Sequence, residues 1–395
     1  MRYQLGRMTA VALAAGWLAA CATARPTARA VYVPPRRPLP AEAFAAPPPS
    51  PYWPPTYARP SVAMAPIPDG ESGFAVTPGA ARDFADLVGW TADDHVAAVA
   101  AFERGCAVTH DAALAGACAR APRLGTLDEG AARAFLETNF RPEAVGGPGL
   151  LTAYFSPVYE ARSSSGGAFT APVRPRPADL EAGGGDYPDR AAIEARPAGD
   201  ALAWMRPEEL FFLQIQGSGV LVFPGGTRAR AIFDGTNGAP FVGIATALRQ
   251  ARLLAEGDTS ADAIKAWLAD NRGQRASAMM ALDPRYVFFR LGPDDGGQPT
   301  GAAGTPLIPG RSVAVDSTLH PLGEMVWIDA TAPSLAGAFP AYRRLAVALD
   351  TGGAIRGAAR ADLYLGEGPV AGAEAGRVRH ALSLWRLVPI DRPGG

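Results

Sequence analysis

Hydrophobic positions change their spacing three times along the chain. Met8–Ala20 is a short, unbroken apolar run behind two basic residues, Arg2 and Arg7. It is too short to span a bilayer as a helix and has the layout of an export signal. Helical spacing begins further on. Thr91-Ala92-Asp93-Asp94 has the composition of a capping box, and Val96, Val99 and Phe102 follow on one face. Thr126-Leu127-Asp128-Glu129 opens a second helix that turns Phe135 and Leu136 inward. From Leu150 the texture becomes that of short strands. Leu151–Val158 alternates, and Phe211–Phe223 interleaves Phe212, Leu213 and Ile215 with Gln214 and Gln216 before a Gly-Ser-Gly break. That stretch reads as two strands joined by a tight connection. Ile244–Leu254 and Ala261–Leu268 read as helices, the second with Ile264, Trp267 and Leu268 on one face. Tyr286–Arg290, Ser312–Val315, Met325–Ile328, Arg344–Leu349 and Leu382–Val388 read as strands again. The pattern predicts a mainly β protein with a helical N-terminal part. Many short strands cut by glycine and proline favour barrels over a doubly wound sheet.

Composition marks off the tether. Residues 22–70 carry fourteen of the 38 prolines, so this stretch forms neither helix nor sheet and reads as an extended spacer. Directly before it, Leu18-Ala19-Ala20-Cys21 looks like a bacterial lipobox, with Cys21 as the lipidated first residue of the mature chain; an ordinary signal peptide with a chance cysteine is the other reading. Alanine at position 22, by similarity to Gram-negative lipoproteins, directs the anchor to the outer membrane, facing the periplasm. In that oxidising compartment Cys106 and Cys118 are either a local disulfide or two separate thiols. The net charge of −1 gives no electrostatic case for a nucleic-acid partner.

Several chemistries drop out. The four histidines, His95, His110, His320 and His380, make no zinc-binding pair. Gly217-Ser218-Gly219 is too short for a nucleophile elbow, and no Walker or Rossmann fingerprint occurs, so neither a metal nor another cofactor is expected. Carboxylates remain. Asp316 follows Val313-Ala314-Val315, Asp350 follows Val347-Ala348-Leu349, and Asp362 sits between Ala361 and Leu363-Tyr364-Leu365. Asp316 and Asp350 each precede a turn, where structural and functional roles weigh equally. No turn signal follows Asp362 until Gly366, and an apolar setting raises a carboxyl pKa toward the range of a general acid. Asp350-Thr351-Gly352 also has the form of an aspartic-protease signature, but the chain offers one copy and that mechanism needs two.

Longer motifs carry a resemblance to the membrane-bound lytic murein transglycosylase A family. They are Leu151-Thr152-Ala153-Tyr154-Phe155-Ser156-Pro157, Phe211–Gly219, Tyr286-Val287-Phe288-Phe289, Pro306–Arg311, Asp350–Gly357, Ala361-Asp362-Leu363-Tyr364 and Gly366-Glu367-Gly368. Asp316, Asp350 and Asp362 match the three aspartates that give the C-terminal domain its name. Where the family has Tyr-Tyr this chain has Tyr154-Phe155. The signal peptide (1–20) and tether (21–72) lie outside the resemblance, which implies a double-psi β-barrel from 73–150 and 293–395 and an inserted second β-barrel domain from 151–292 across a glycan groove. It implies cleavage of the β-1,4 bond between N-acetylmuramic acid and N-acetylglucosamine in peptidoglycan without water, by a monomeric lyase of cell-wall turnover in which Asp362 is acid and then base. Asp316, Asp350, Tyr154, Gln214, Gln216, Ser218 and Tyr364 would bind substrate or support the site, Tyr154 or Tyr364 by stacking on a sugar ring. The readings left beside it are an aspartic-type protease and a lipoprotein that binds peptidoglycan without cutting it.

Overall fold

A computed structural model describes residues 83–390, apart from 122–124, 181–186, 256, 257, 259 and 332–340. The signal segment, Cys21, the proline-rich tether and the expected start of the fold near Phe74 lie outside the described residues.

Both N-terminal helices form where their caps stand. Asp94 accepts from the Ala97 amide and opens helix His95–Cys106, and Asp128 accepts from the Ala131 amide and opens helix Glu129–Asn139. Val99, Phe102, Phe135 and Leu136 are buried as the spacing requires, while Val96 is exposed. Asp93 does not cap. It accepts from both terminal nitrogens of Arg311 at 2.8 Å and ties the helical layer to the β structure. Cys106 and Cys118 are joined as a disulfide.

The described residues then form the strands β1 (Phe140–Ser156), β2 (Val158–Glu160), β3 (Ala171–Val173), β4 (Ala203–Met205), β5 (Gly219–Val222), β6 (Arg228–Thr236), β7 (Val287–Pro293), β8 (Ser312–Val315), β9 (Met325–Thr331), β10 (Ala341–Thr351), β11 (Arg360–Glu367) and β12 (Arg379–Pro389). Six of them close into a barrel in the order β1-β11-β8-β10-β9-β12. Its strands are buried on both faces, which is why Leu345–Leu349 is continuously apolar and wholly inaccessible. One alternate set, with Trp327, Leu345 and Val347, packs with Trp90, Phe102 and Phe135 of the helical layer. The other, with Val313, Ile328, Ala348 and Leu363, forms a second cluster.

The stretch between β1 and β8 builds a second lobe. Among the described residues its ladders are the sheet β2-β5-β6-β7 and the pair β3-β4, which do not close into the expected second barrel. The largest departure explains this. Pro207–Gln216 is a helix, not a strand. Pro207 occupies its first turn with Glu208 and Glu209, and Gly217 ends it at φ +82°, a conformation suited to glycine. These end signals outweigh the alternation between them. Helices Ala245–Gln250, Ala261–Asp270 and Gln274–Met280 pack with it around Phe211, Leu248 and Leu268.

Candidate active site

A groove of about 1380 Å³ runs between barrel and second lobe. Sheet register sets its acidic floor. Asp362 on β11 and Asp350 on β10 are each level with Ala314 on the intervening strand β8. Two strand spacings separate their backbones, roughly 10 Å. A register shift between Ala348 and Asp350 brings Asp350 to that level.

The two carboxyls are held differently. Asp350 accepts from the Tyr154 hydroxyl at 2.7 Å and from the amides of Ala302 and Thr351, both at 2.9 Å. Asp362 accepts from the Thr152 hydroxyl, directly level with it on β1. Arg360 Nη2 donates to that same hydroxyl at 2.8 Å. Thr152 therefore spends its one hydrogen on Asp362 Oδ1. Burial pushes both carboxyls above the usual aspartate range, against the pull of their donors; for Asp362 those are Thr152 and the charge of Arg360. Burial and the neighbouring Asp350 charge raise the Tyr154 hydroxyl, keeping it a neutral donor.

The other expected site residues divide. Ser218 and Gln216 border the groove from the second lobe, and Gln216 Oε1 accepts from the Phe155 amide at 3.2 Å, a link between the lobes. Gln214 reaches the groove but is 5% exposed, held by Arg190 at 2.5 Å and donating to the Val287 carbonyl at 3.2 Å, so it serves as wall support. Asp316 binds the barrel turn: it accepts from the Thr318 hydroxyl at 2.7 Å and the Gly357 amide at 2.9 Å. Those donors hold its carboxyl below the usual range.

Tyr364 corrects the stacking expectation. It is completely buried, its ring lies 5.3 Å from that of Tyr154, and its hydroxyl donates to Gln298. The most exposed of the described groove aromatics is Phe233, 47% exposed on β6; Tyr154 and Phe241 are partly buried. Phe155 lays its ring against Gly372, where a Cβ would come within 2.7 Å. Thr152, Arg360 and Phe233 went unread in the sequence. The signal for the first two was the two-residue spacing of Arg360 and Asp362, which puts them on one face of β11, and the pairing of Asp362 with Thr152, visible only through the parallel register. His320 is no base: Glu324 and the Ala358 carbonyl, both at 2.7 Å, occupy its ring nitrogens.

Residues 150–290 match the model of the MltA specific insert domain, and residues 311–388 that of the 3D domain. The chain is 33% identical over 245 residues to membrane-bound lytic murein transglycosylase A of Vibrio cholerae, covering 60% of this chain and 65% of that relative. The aligned part thus spans just under two thirds of the relative's length. Among solved structures it is similar to the lytic transglycosylase LtgG of Burkholderia pseudomallei, at 36% identity and a TM-score of 0.56, covering 81% of this chain and 100% of that one. It is also similar to Escherichia coli MltA with bound chitohexaose, at 25% identity and a TM-score of 0.64, covering 81% and 97%.

Proposed function

The chain belongs to the membrane-bound lytic murein transglycosylase A family, and from that membership and the groove we propose that it is a peptidoglycan lytic transglycosylase. It cleaves the β-1,4 bond between N-acetylmuramic acid and N-acetylglucosamine without water and leaves 1,6-anhydromuropeptides. The observation that carries the reading is the half-buried acid Asp362 on the floor of an inter-lobe groove, raised by burial and held at one oxygen by Thr152, while its neighbour Asp350 is tied up by three donors.

In the proposed mechanism, Asp362 enters protonated on Oδ2. It gives that proton to the glycosidic oxygen as the bond to muramic C1 breaks. The resulting carboxylate then takes the proton of the C6 hydroxyl of the same sugar while O6 bonds to C1. Acid and product are both regenerated with the protons balanced. An internal hydroxyl has a high effective concentration, so no second carboxylate is needed to hold a water. Asp350, fixed by three donors, positions Tyr154 beside the reacting sugar.

The same reading takes the barrel (73–150 and 293–395) as double-psi and 151–292 as the insert forming the opposite groove wall. It takes Cys21 as a lipid anchor in the outer membrane and the tether as reach toward the wall. Mass analysis of fragments released from isolated sacculi tests it. Anhydro-ended fragments that vanish with Asp362→Asn are expected; reducing ends made from water would mean a hydrolase, and bound but uncut sacculi a wall-tethering lipoprotein.

A further inference from the structure

Among the described residues, one half-buried cation of the groove has no hydrogen-bonded partner for its side chain. Arg285 lies just before β7, and its backbone is pinned on both sides. Its amide donates to Asp283 at 3.3 Å, its carbonyl accepts from Arg190 at 2.5 Å, and the next amide donates to Asn237 at 2.8 Å. Its guanidinium, half-buried on the groove wall, makes no hydrogen bond or ion pair with the described residues. Asp283, the nearest acid in sequence, is already engaged by the Val242 amide at 3.0 Å and by Arg190 at 3.7 Å. A partly desolvated cation without a partner is costly.

Two more features converge on it. The guanidinium lies against Gly353 of the barrel, where an added Cβ would come 1.9 Å from Nη1. Only a glycine admits this approach, and Gly353 stands three residues beyond Asp350. The same loop carries Arg356, which borders the groove with a side chain 62% exposed; its Nη1 donates to the Ile355 carbonyl at 3.0 Å and pairs loosely with Asp316 at 3.8 Å, which leaves its other nitrogens available. Burial disfavours the charge of Arg285, the nearby Asp283 charge offsets part of this, and the positive charge of Arg356 adds to the disfavour. Two guanidinia thus face one space, from opposite lobes, with fork geometry suited to a carboxylate.

We infer that Arg285 and Arg356 form a carboxylate-binding subsite that reads the acidic arm of muramic acid. This rests on the transglycosylase reading. The carboxylate comes either from the lactyl group itself or from the peptide attached to it, and cleavage is not needed to detect its binding.

The test is calorimetric binding in the Asp362→Asn background, which separates recognition from cleavage. Three ligands are compared: neutral chitohexaose, glycan fragments stripped of peptide and so bearing free lactyl carboxylates, and fragments with intact peptides. The parent is expected to bind at least one acidic ligand about tenfold or more above chitohexaose, and which acidic ligand gains identifies the source. In Arg285→Gln/Arg356→Gln that advantage collapses. Gly353→Ala, which displaces the Arg285 guanidinium without changing charge, removes part of it and serves if the double variant folds poorly. Equal affinity of the parent for neutral and acidic ligands, or proportionate losses for all three in the variants, overturns the subsite. Failure of the activity reading registers separately, as sacculi left uncut by the wild-type chain.

Discussion

Tyr154 on β1 donates its hydroxyl hydrogen to Oδ2 of Asp350 on β10, 2.7 Å away, across the two intervening strands β11 and β8. The bond spans the acidic end of the barrel and passes beside Asp362. Removing it leaves a half-buried carboxyl with two backbone donors. Tyr154→Phe is expected to lower stability by about 2 kcal/mol, as for other hydrogen bonds to charged groups, and to slow sacculus digestion about tenfold. A denaturant melt and a turnover assay check this; a variant as stable and active as the parent would show that the bond holds nothing.

Asp362 should cost the fold stability at neutral pH. Burial raises its pKa, so the folded chain binds that proton more tightly than the unfolded chain. Stability is full below the ordinary aspartate range near 4 and falls as pH rises through the window up to the raised value. Asp362→Asn carries no charge to bury. Its melting temperature at pH 7 is expected a few degrees above the parent's, the effect of about 1 kcal/mol in a domain of this size. The gap should close toward pH 3. Calorimetric scans at both pH values decide it, and a variant that melts lower at pH 7 would contradict the desolvation argument.

Thr152 is a positioning residue, so its removal should alter a titration rather than only a rate. Its hydroxyl, oriented by Arg360, stabilises the carboxylate form of Asp362. In the proposed mechanism the acid starts protonated, so kcat/KM is expected to fall as pH rises through its pKa. Thr152→Val keeps the side-chain shape and removes the donor. The basic limb of the pH–rate profile should move to higher pH, with turnover at the optimum reduced about tenfold. A lower rate with an unmoved limb would mean that Thr152 is only packing.

Much of this arrangement was legible along the chain because the barrel strands are buried on both faces and announce themselves as apolar runs. Asp350 and Asp362 stood out as carboxylates at the ends or centres of such runs. Pro207–Gln216 misled because Phe212, Leu213 and Ile215 alternate with glutamines, whereas its proline start and glycine stop decided the outcome. β6 escaped notice because Arg228 and Arg230 interrupt it; their charges are satisfied by Asp294 and Glu367, which no local spacing reveals. The same holds for Thr152 and Arg285: each acquires meaning from a partner on the other side of a register or a groove.

That charged cluster is also the means by which the lobes are held at one separation. Arg228 and Arg230 on β6 both reach Asp294, at 2.6 and 2.8 Å, and Glu367 at the end of β11, at 3.1 and 3.2 Å. Asp294 belongs to the second-lobe side of the groove and Glu367 to the barrel, so Glu367 is the cross-lobe member. Burial alone would raise Asp294, but the bonds from Arg228 and the charge of Arg230 outweigh it and hold its carboxyl below the usual range. That stabilisation is present above the ordinary aspartate range and is lost as pH falls through the depressed value. Glu367→Gln keeps Asp294 paired but weakens the tie to the barrel. Because Arg228 is partly exposed, the loss of stability should be small. The expected effect is a KM for glycan fragments raised about fivefold with kcat little changed, and added salt should raise the parent's KM toward the variant's. A fall in kcat at constant KM would place Glu367 in the chemistry rather than in the spacing of the lobes.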